Sequence, residues 1–155
     1  MKTLILGVGN LLLKDEGVGI HAIRALEKDD LPPGVSLMDG GTGGLHLIGW
    51  LRDYDRVIMI DAALDDNPSG TIRLIKPRYA SDFPPLMSAH EIGLRDMIEA
   101  ISLIDDPPEI SLIAISVSNI NETGTDLSPE IQALLPEVVR RVKTCILQLP
   151  HVWYI

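Results

Sequence analysis

Four polar side chains in this sequence occupy positions that suit a catalytic or metal-binding site. Glu16 lies between glycines in the run GVGNLLLKDEGVGIHA, which begins at Gly7 directly after the apolar stretch KTLIL. Asp61 closes the apolar part of RVIMIDAA, His90 lies in SAHEIGL, and Asp39 precedes two glycines in MDGGTGG. Two carboxylates and one imidazole suit a divalent transition metal with coordination positions left open. We therefore predict a metal site formed by Glu16, Asp61 and His90.

Each of these residues also has a structural role open to it. Asp15 or Glu16 is expected near the cap of the following helix, and Glu16 could be a first-turn acid that interacts with the helix dipole. Asp61 could cap a loop, His90 could be a surface histidine in a first helical turn, and Asp39 could stabilise a glycine turn. An unpaired carboxylate at the end of a buried strand is costly, which favours a functional role for Asp61.

The elements that must position these residues follow from short apolar runs that alternate with helical patterns. The helix after residue 128 contains Pro136, which predicts a break or kink there. Ser88 and Glu91 have the spacing of a capping box. Strands are predicted at 3–8, in the run that ends near Asp39, at 56–63, at 71–76 and at 109–117. Helices are predicted at about 17–26, at 45–51, after the capping box and from 128 onward.

Strands interleaved with helices predict an α/β fold. We expect three layers, αβα, around a twisted and mostly parallel sheet of about five strands. The turn DDNPSG is too short for a parallel crossover, so TIRLIK is expected to be an antiparallel strand at the sheet edge. The commonest order places the first strand beside the third, with the second outside the first. Glu16 and Asp61 would then flank the crevice where the winding direction reverses, on the carboxyl side of the sheet.

The length and composition of the chain limit the classes of protein to which it can belong. The 155 residues predict a single domain over 1–155, and the net charge of −9 argues against nucleic acid or an anionic membrane as a partner. One cysteine, Cys145, cannot form an internal disulfide and suits a reducing compartment. No apolar run approaches the roughly 20 residues of a membrane span, and no signal peptide is evident. A cytoplasmic location is expected.

Other chemistries fit less well. GVGNLL has Leu12 where the dinucleotide fingerprint needs a third glycine, and His90-Glu91 is not followed by the second histidine of HExxH. Serine in a nucleophile elbow is absent from the sequence. Cys145, in the last helical pattern, is expected to be a packed small apolar residue. A nucleotide-binding module is therefore a weak alternative.

Four motifs in this order resemble the hydrogenase maturation proteases: LGVGNLLLKDEGVGIHA, DGGTGG, VIMIDAA and SAHEIGL. The resemblance extends from Leu4 to the segment LSPEI at 127–131. Members of that family are endopeptidases that trim the C-terminus of the nickel-iron hydrogenase large subunit. The resemblance implies that Glu16, Asp61 and His90 bind metal and that Asp39 is an acidic position in the cleft.

The resemblance also implies a substrate and a metal. The substrate would be the large-subunit precursor after nickel insertion, and the metal would be nickel, which that precursor could supply. The metal could polarise the scissile carbonyl or activate a water, or a carboxylate could act as general base while nickel serves only for recognition. A non-catalytic nickel-binding maturation chaperone using the same three residues is the alternative.

Overall fold

The computed structural model describes residues 1–42, 47–76, 94–118 and 122–148. The strands in these segments form one sheet in the order β2-β1-β3-β5-β4. Strands β1, β2, β3 and β5 run parallel, and β4 is antiparallel to β5 at the edge. The strands are β1 (Thr3–Gly7), β2 (Val35–Asp39), β3 (Arg56–Ala63), β4 (Ile72–Ile75) and β5 (Glu109–Ser116).

The helices follow the strands in the alternation expected from the sequence. A 3-10 turn at Lys14–Gly17 leads directly into α1. The predicted break in the last helical region is confirmed, because α4 and α5 are separate helices and Pro136 lies in the first turn of α5. The helices are α1 (Val18–Leu26), α2 (Ile48–Leu51), α3 (Leu94–Ile101), α4 (Pro129–Gln132) and α5 (Leu135–Leu147).

Strand order and direction confirm the predicted α/β fold, including the antiparallel edge strand. Two parts of the prediction lie outside the described residues. One is the first two residues of the helix expected at 45–51, and the other is the capping box at Ser88 and Glu91. Strand β5 ends at Ser116, one residue before the predicted end.

Side chains of the central strands alternate between two apolar cores, one on each face of the sheet. Ile5, Ile58 and Ile60 belong to the first core, with α1 and α5. The second core contains Val57 and Met59, together with residues of α2 and α3. The helices therefore cover both faces, which explains why β1 and β3 are buried along their whole length.

A buried arginine joins the start of β3 to the end of α5. Arg56 is 3% exposed, and its guanidinium donates from Nη1 to the carbonyl of Gln148 and from Nη2 to the carbonyl of Ile146, each at 2.8 Å. These carbonyls lie at the C-terminal end of a helix, where the backbone lacks intrahelical donors and a cation is favourable. The central strand and the last helix are thereby held together.

Candidate functional site

The loop after β1 buries two adjacent acids. Asp15 is 1% exposed and Glu16 is 9% exposed, and both lie in the 3-10 turn that precedes α1. Both acids lie near the N-cap of α1, as expected, but that cap is Gly17, which has no side chain to contribute, and the first turn of α1 contains no acid. Burying two carboxylates is costly, so other contacts must hold them in place.

Glycines let this loop lie directly on the sheet. A Cβ atom on Gly19, in the first turn of α1, would be 2.6 Å from the carbonyl oxygen of Val8 and closer still to that of Ile60. Gly9, at φ +147°, packs equally closely on the carbonyl of Glu16. The 3-10 turn consequently contacts β3, the strand that carries Asp61. Only glycine permits so close a backbone approach at these positions.

Asp61 is fully buried near the carboxyl end of β3, with two strand residues after it. Its Oδ1 accepts a hydrogen bond of 2.8 Å from the backbone N–H of Ala62, which restrains the carboxylate. Gly7, the last residue of β1, pairs with Ile60, so Asp61 lies just beyond the end of β1. By strand alternation its side chain shares a face with Met59, on the α2 and α3 side of the sheet.

The sheet order brings the loops after β1 and β2 to the same edge as Asp61. Asp39 ends β2 directly beside Gly7 and is exposed. Its Oδ1 accepts the backbone N–H of Gly41 at 2.9 Å, so it does stabilise a glycine turn. The N–H of Gly40 donates in turn to the carbonyl of Gly7 at 2.8 Å. Asp39 therefore lies exposed beside the end of β1, where it stabilises a glycine turn.

His90 lies outside the described residues. Within residues 1–42, 47–76, 94–118 and 122–148, no group of three or more His, Cys, Asp or Glu side chains is arranged to hold a metal ion. The described residues thus supply two candidate ligands, Glu16 and Asp61, and the third stays a prediction. The helix that follows His90, α3, packs on the face that Asp61 shares.

A contact that the sequence did not predict holds Asp15. Its Oδ1 accepts the backbone N–H of Ser128, and its Oδ2 accepts the Ser128 hydroxyl, each at 2.8 Å. In sequence, Ser128-Pro129 has the pattern of a helix N-cap, and Ser128 does occupy that position at α4 without a side-chain capping bond. No local pattern signals a partner 113 residues away.

Cys145 is buried in α5, as expected for a packed residue. Burial raises the pKa of its thiol, which keeps the sulfur protonated near neutral pH and unsuited to nucleophilic attack.

Comparison with known proteins shows which family this chain resembles. The family model described as hydrogenase maturation protease matches residues 20–144. The chain is 32% identical to the hydrogenase 2 maturation protease of Escherichia coli over 92% of this chain and 88% of that protein. It is 30% identical to the hydrogenase expression/formation protein HupD of Rhizobium leguminosarum bv. viciae, over 89% of this chain and 70% of that protein.

Solved structures show the same similarity. The hydrogenase maturating endopeptidase HybD from E. coli matches with a TM-score of 0.84 and 31% identity, covering 94% of this chain and 92% of that one. The nickel-iron hydrogenase maturation protease HybD from Thermococcus kodakarensis matches with a TM-score of 0.76 and 28% identity, covering 94% of this chain and 99% of that one.

None of the helices in the described segments is long and apolar enough to cross a membrane.

Proposed function

The chain belongs to the hydrogenase maturation protease family, and we propose that it is the endopeptidase that removes the C-terminal extension of a nickel-iron hydrogenase large-subunit precursor once nickel has been inserted. Family membership favours this activity over the non-catalytic nickel chaperone. One structural observation carries the assignment of the site. The turn with Glu16 packs against the strand with Asp61, so two buried carboxylates lie at the switch point of the sheet.

The donor chemistry of these residues fits a divalent ion. Carboxylate oxygens from Glu16 and Asp61, completed by the imidazole of His90, form a mixed oxygen and nitrogen set that suits several divalent metals, nickel among them. Such a set does not select one ion by affinity alone, and selection then follows from the metal that is delivered. We take that metal to be the substrate's own nickel, presented by the precursor.

Hydrolysis makes two demands on the protein. A water must lose a proton as it attacks the scissile carbonyl, and the leaving amine must gain one. The carboxylate of Glu16 or Asp61 suits the first role, because a general base must be within hydrogen-bond reach and fixed in orientation. The backbone N–H of Ala62 restrains Asp61 in this way. Because both acids are buried, a peptide bond bound against them would react in surroundings that largely exclude bulk water.

The substrate's nickel would serve as a recognition device. A protease with an open site should not cut folded proteins at random, and the net charge of −9 offers no general attraction for peptide chains. If Glu16, Asp61 and His90 complete the coordination of a nickel already inserted in the precursor, only the loaded precursor is bound productively. Asp39, exposed beside the end of β1, lies where it could contact the incoming segment.

Intact-mass spectrometry of the precursor tests this proposal. Incubation with nickel-loaded large-subunit precursor should give a defined loss of C-terminal residues, and the nickel-free precursor should stay uncut under the same conditions. Equal cleavage of the two forms would refute the recognition role and leave the peptidase. Nickel transfer without any loss of mass would instead identify a chaperone.

Variants separate the site from the scaffold. Glu16→Gln, Asp61→Asn and His90→Ala should abolish processing with little change in Tm, because the first two are isosteric and each removes a ligand rather than core packing. Glu137→Gln is the matched control, since it neutralises an exposed carboxylate on α5, and it should process normally. A large fall in Tm in the three site variants would instead indicate that these residues have a structural role.

A further inference from the structure

Asp15 is a buried charge that the proposed reaction does not use. It is 1% exposed, although a carboxylate without partners is among the most expensive groups to bury. Both of its oxygens accept bonds from one residue, Ser128, through the backbone N–H and the hydroxyl. Bonds to an ionised acceptor are stronger than neutral ones, so this paired contact offsets much of the cost.

Ser128 is the N-cap of α4, but its side chain makes no capping hydrogen bond to that helix. As the N-cap of α4 it would normally turn its hydroxyl toward the free N–H groups of its own first turn. Instead the hydroxyl donates to Asp15 across 113 residues of sequence. Both residues of the pair thus serve the connection between the β1 loop and the segment 122–128, rather than the helices beside them.

Further contacts extend this connection along the loop. The backbone N–H of Lys14 donates to the carbonyl of Gly124 at 2.9 Å, and the N–H of Gly124 donates to the carbonyl of Leu12 at 2.8 Å. The ammonium group of Lys14 forms an ion pair of 2.6 Å with Glu122. Segment 122–128 therefore lies along the loop in the manner of a short parallel strand, with a bridge between Leu13 and Gly124.

The loop conformation needs this support. Lys14 has φ +49°, in the left-handed region where a residue with a Cβ atom is strained by about 1–2 kcal/mol. Strained backbone persists only where the surroundings over-determine it. Glu16 comes two residues after Lys14 in the same turn. The position of the Glu16 carboxylate therefore depends on the strained conformation at Lys14. Gly9 packs on the carbonyl of Glu16 from within the same loop.

We propose that Asp15 and Ser128 are positioning residues that hold Glu16 against β3, an inference that rests on the proposed peptidase function. A catalytic or ligating group must be held within about 0.5 Å of its productive position, and a displacement of about 1 Å can reduce the rate on the order of a hundredfold. The clamp, defined as the Asp15–Ser128 pair and the backbone bonds of Gly124 to Lys14 and Leu12, supplies that restraint from a distant part of the chain.

The test compares two serines that make the same kind of bond. Ser128→Ala removes the hydroxyl that binds Asp15, and Ser116→Ala removes a buried hydroxyl that donates to Asp65 at 2.8 Å. Both variants lose a hydrogen bond to a carboxylate, so similar falls in Tm are expected. With nickel-loaded precursor, kcat should fall about tenfold to a hundredfold in Ser128→Ala, with KM changed by less than about twofold. In Ser116→Ala, kcat should stay within about twofold of the wild type. Ser128→Thr, which keeps the hydroxyl, should restore kcat.

Hydrogen–deuterium exchange supplies a readout that does not depend on activity. Ser128→Ala should speed amide exchange selectively in the peptide covering 10–17, whereas Ser116→Ala should leave that peptide protected. Equal kcat in the two alanine variants, or unchanged exchange over 10–17, overturns the positioning role. If the wild type fails to cut the precursor, the proposed function is wrong, and the exchange result alone then decides whether the clamp holds the loop.

Discussion

Replacement of Gly19 by alanine tests the close packing of α1 on β3. Alanine normally stabilises a helix relative to glycine by about 1 kcal/mol, so propensity alone predicts a gain. The structure predicts the opposite, because the added Cβ would meet the backbone carbonyl oxygens of Val8 and Ile60. Neither atom belongs to a side chain that can rotate away, so the helix itself must move.

The magnitude follows from these two terms. Overpacking costs about 1–3 kcal/mol where neighbours can adjust, and contact with rigid backbone places this site at the upper end, about 3 kcal/mol. Subtracting the helix gain of about 1 kcal/mol leaves a net loss of about 2 kcal/mol in the free energy of unfolding. For a chain of this size that corresponds to a fall in Tm of about 4–8 °C.

Thermal unfolding followed by circular dichroism measures this effect, with Gly49→Ala as the matched control. Gly49 lies in α2, and a Cβ added there meets no atom within 4 Å. The control should therefore have a Tm equal to or above that of the wild type. A Gly19→Ala Tm at or above that of Gly49→Ala would refute the close approach of the helix to the strand. Because the same shift would carry Glu16 away from β3, processing well below the Tm should also fall in Gly19→Ala but not in Gly49→Ala.

Three shorter predictions follow from other groups. Burial alone would raise the pKa of Asp65, but hydrogen bonds from Ser116 and Asn67 outweigh it and lower the pKa. Asp65→Asn should therefore lower the free energy of unfolding by about 2 kcal/mol at pH 7. The difference in Tm between this variant and the wild type should shrink as the pH falls below about 4, because protonation of Asp65 then removes the same stabilisation from the wild type. Hydrogen bonds from Arg140 and Arg141 lower the pKa of Glu137 to about 2, so an NMR titration should show its carboxylate becoming protonated only near that pH. In 1 M salt the pKa of Glu137 should rise, because salt screens its attraction to the two arginines. Cys145→Ala should leave processing intact, and iodoacetamide should label Cys145 only after unfolding; native labelling with loss of activity would contradict its buried, protonated state.

The sequence predicted the fold in detail because local patterns and topology rules agree. Residues 57–60 of β3 are all apolar because both faces of the strand are covered, and the edge position of β4 follows from a turn too short for a crossover. The placement of Glu16 and Asp61 at one end of neighbouring strands followed from the same rules. Both acids are more enclosed than an open crevice would suggest, because the glycines bring the loop directly onto the sheet.

What sequence reasoning missed are contacts between distant segments. In the sequence, Asp15 lies near one predicted helix start and Ser128 begins another predicted helix, and each interpretation rests on neighbouring residues. Their bond to each other depends on where two loops meet after folding, which periodicity and turn chemistry do not encode. The same holds for Arg56, whose polar side chain at the start of an apolar strand carries no local sign of the carbonyls it binds.

The bonds of Arg56 to the end of α5 also bear on biosynthesis. This guanidinium leaves the ribosome about 90 residues before the carbonyls of Ile146 and Gln148 that accept its hydrogen bonds. Until they emerge, a nascent chain that has already assembled β1, β2 and β3 would either keep Arg56 in water or bury an uncompensated charge. Stable burial of Arg56 is therefore deferred until α5 has been synthesised. A chain that stops before α5 is expected to be cleaved by proteases more readily than the chain that includes it.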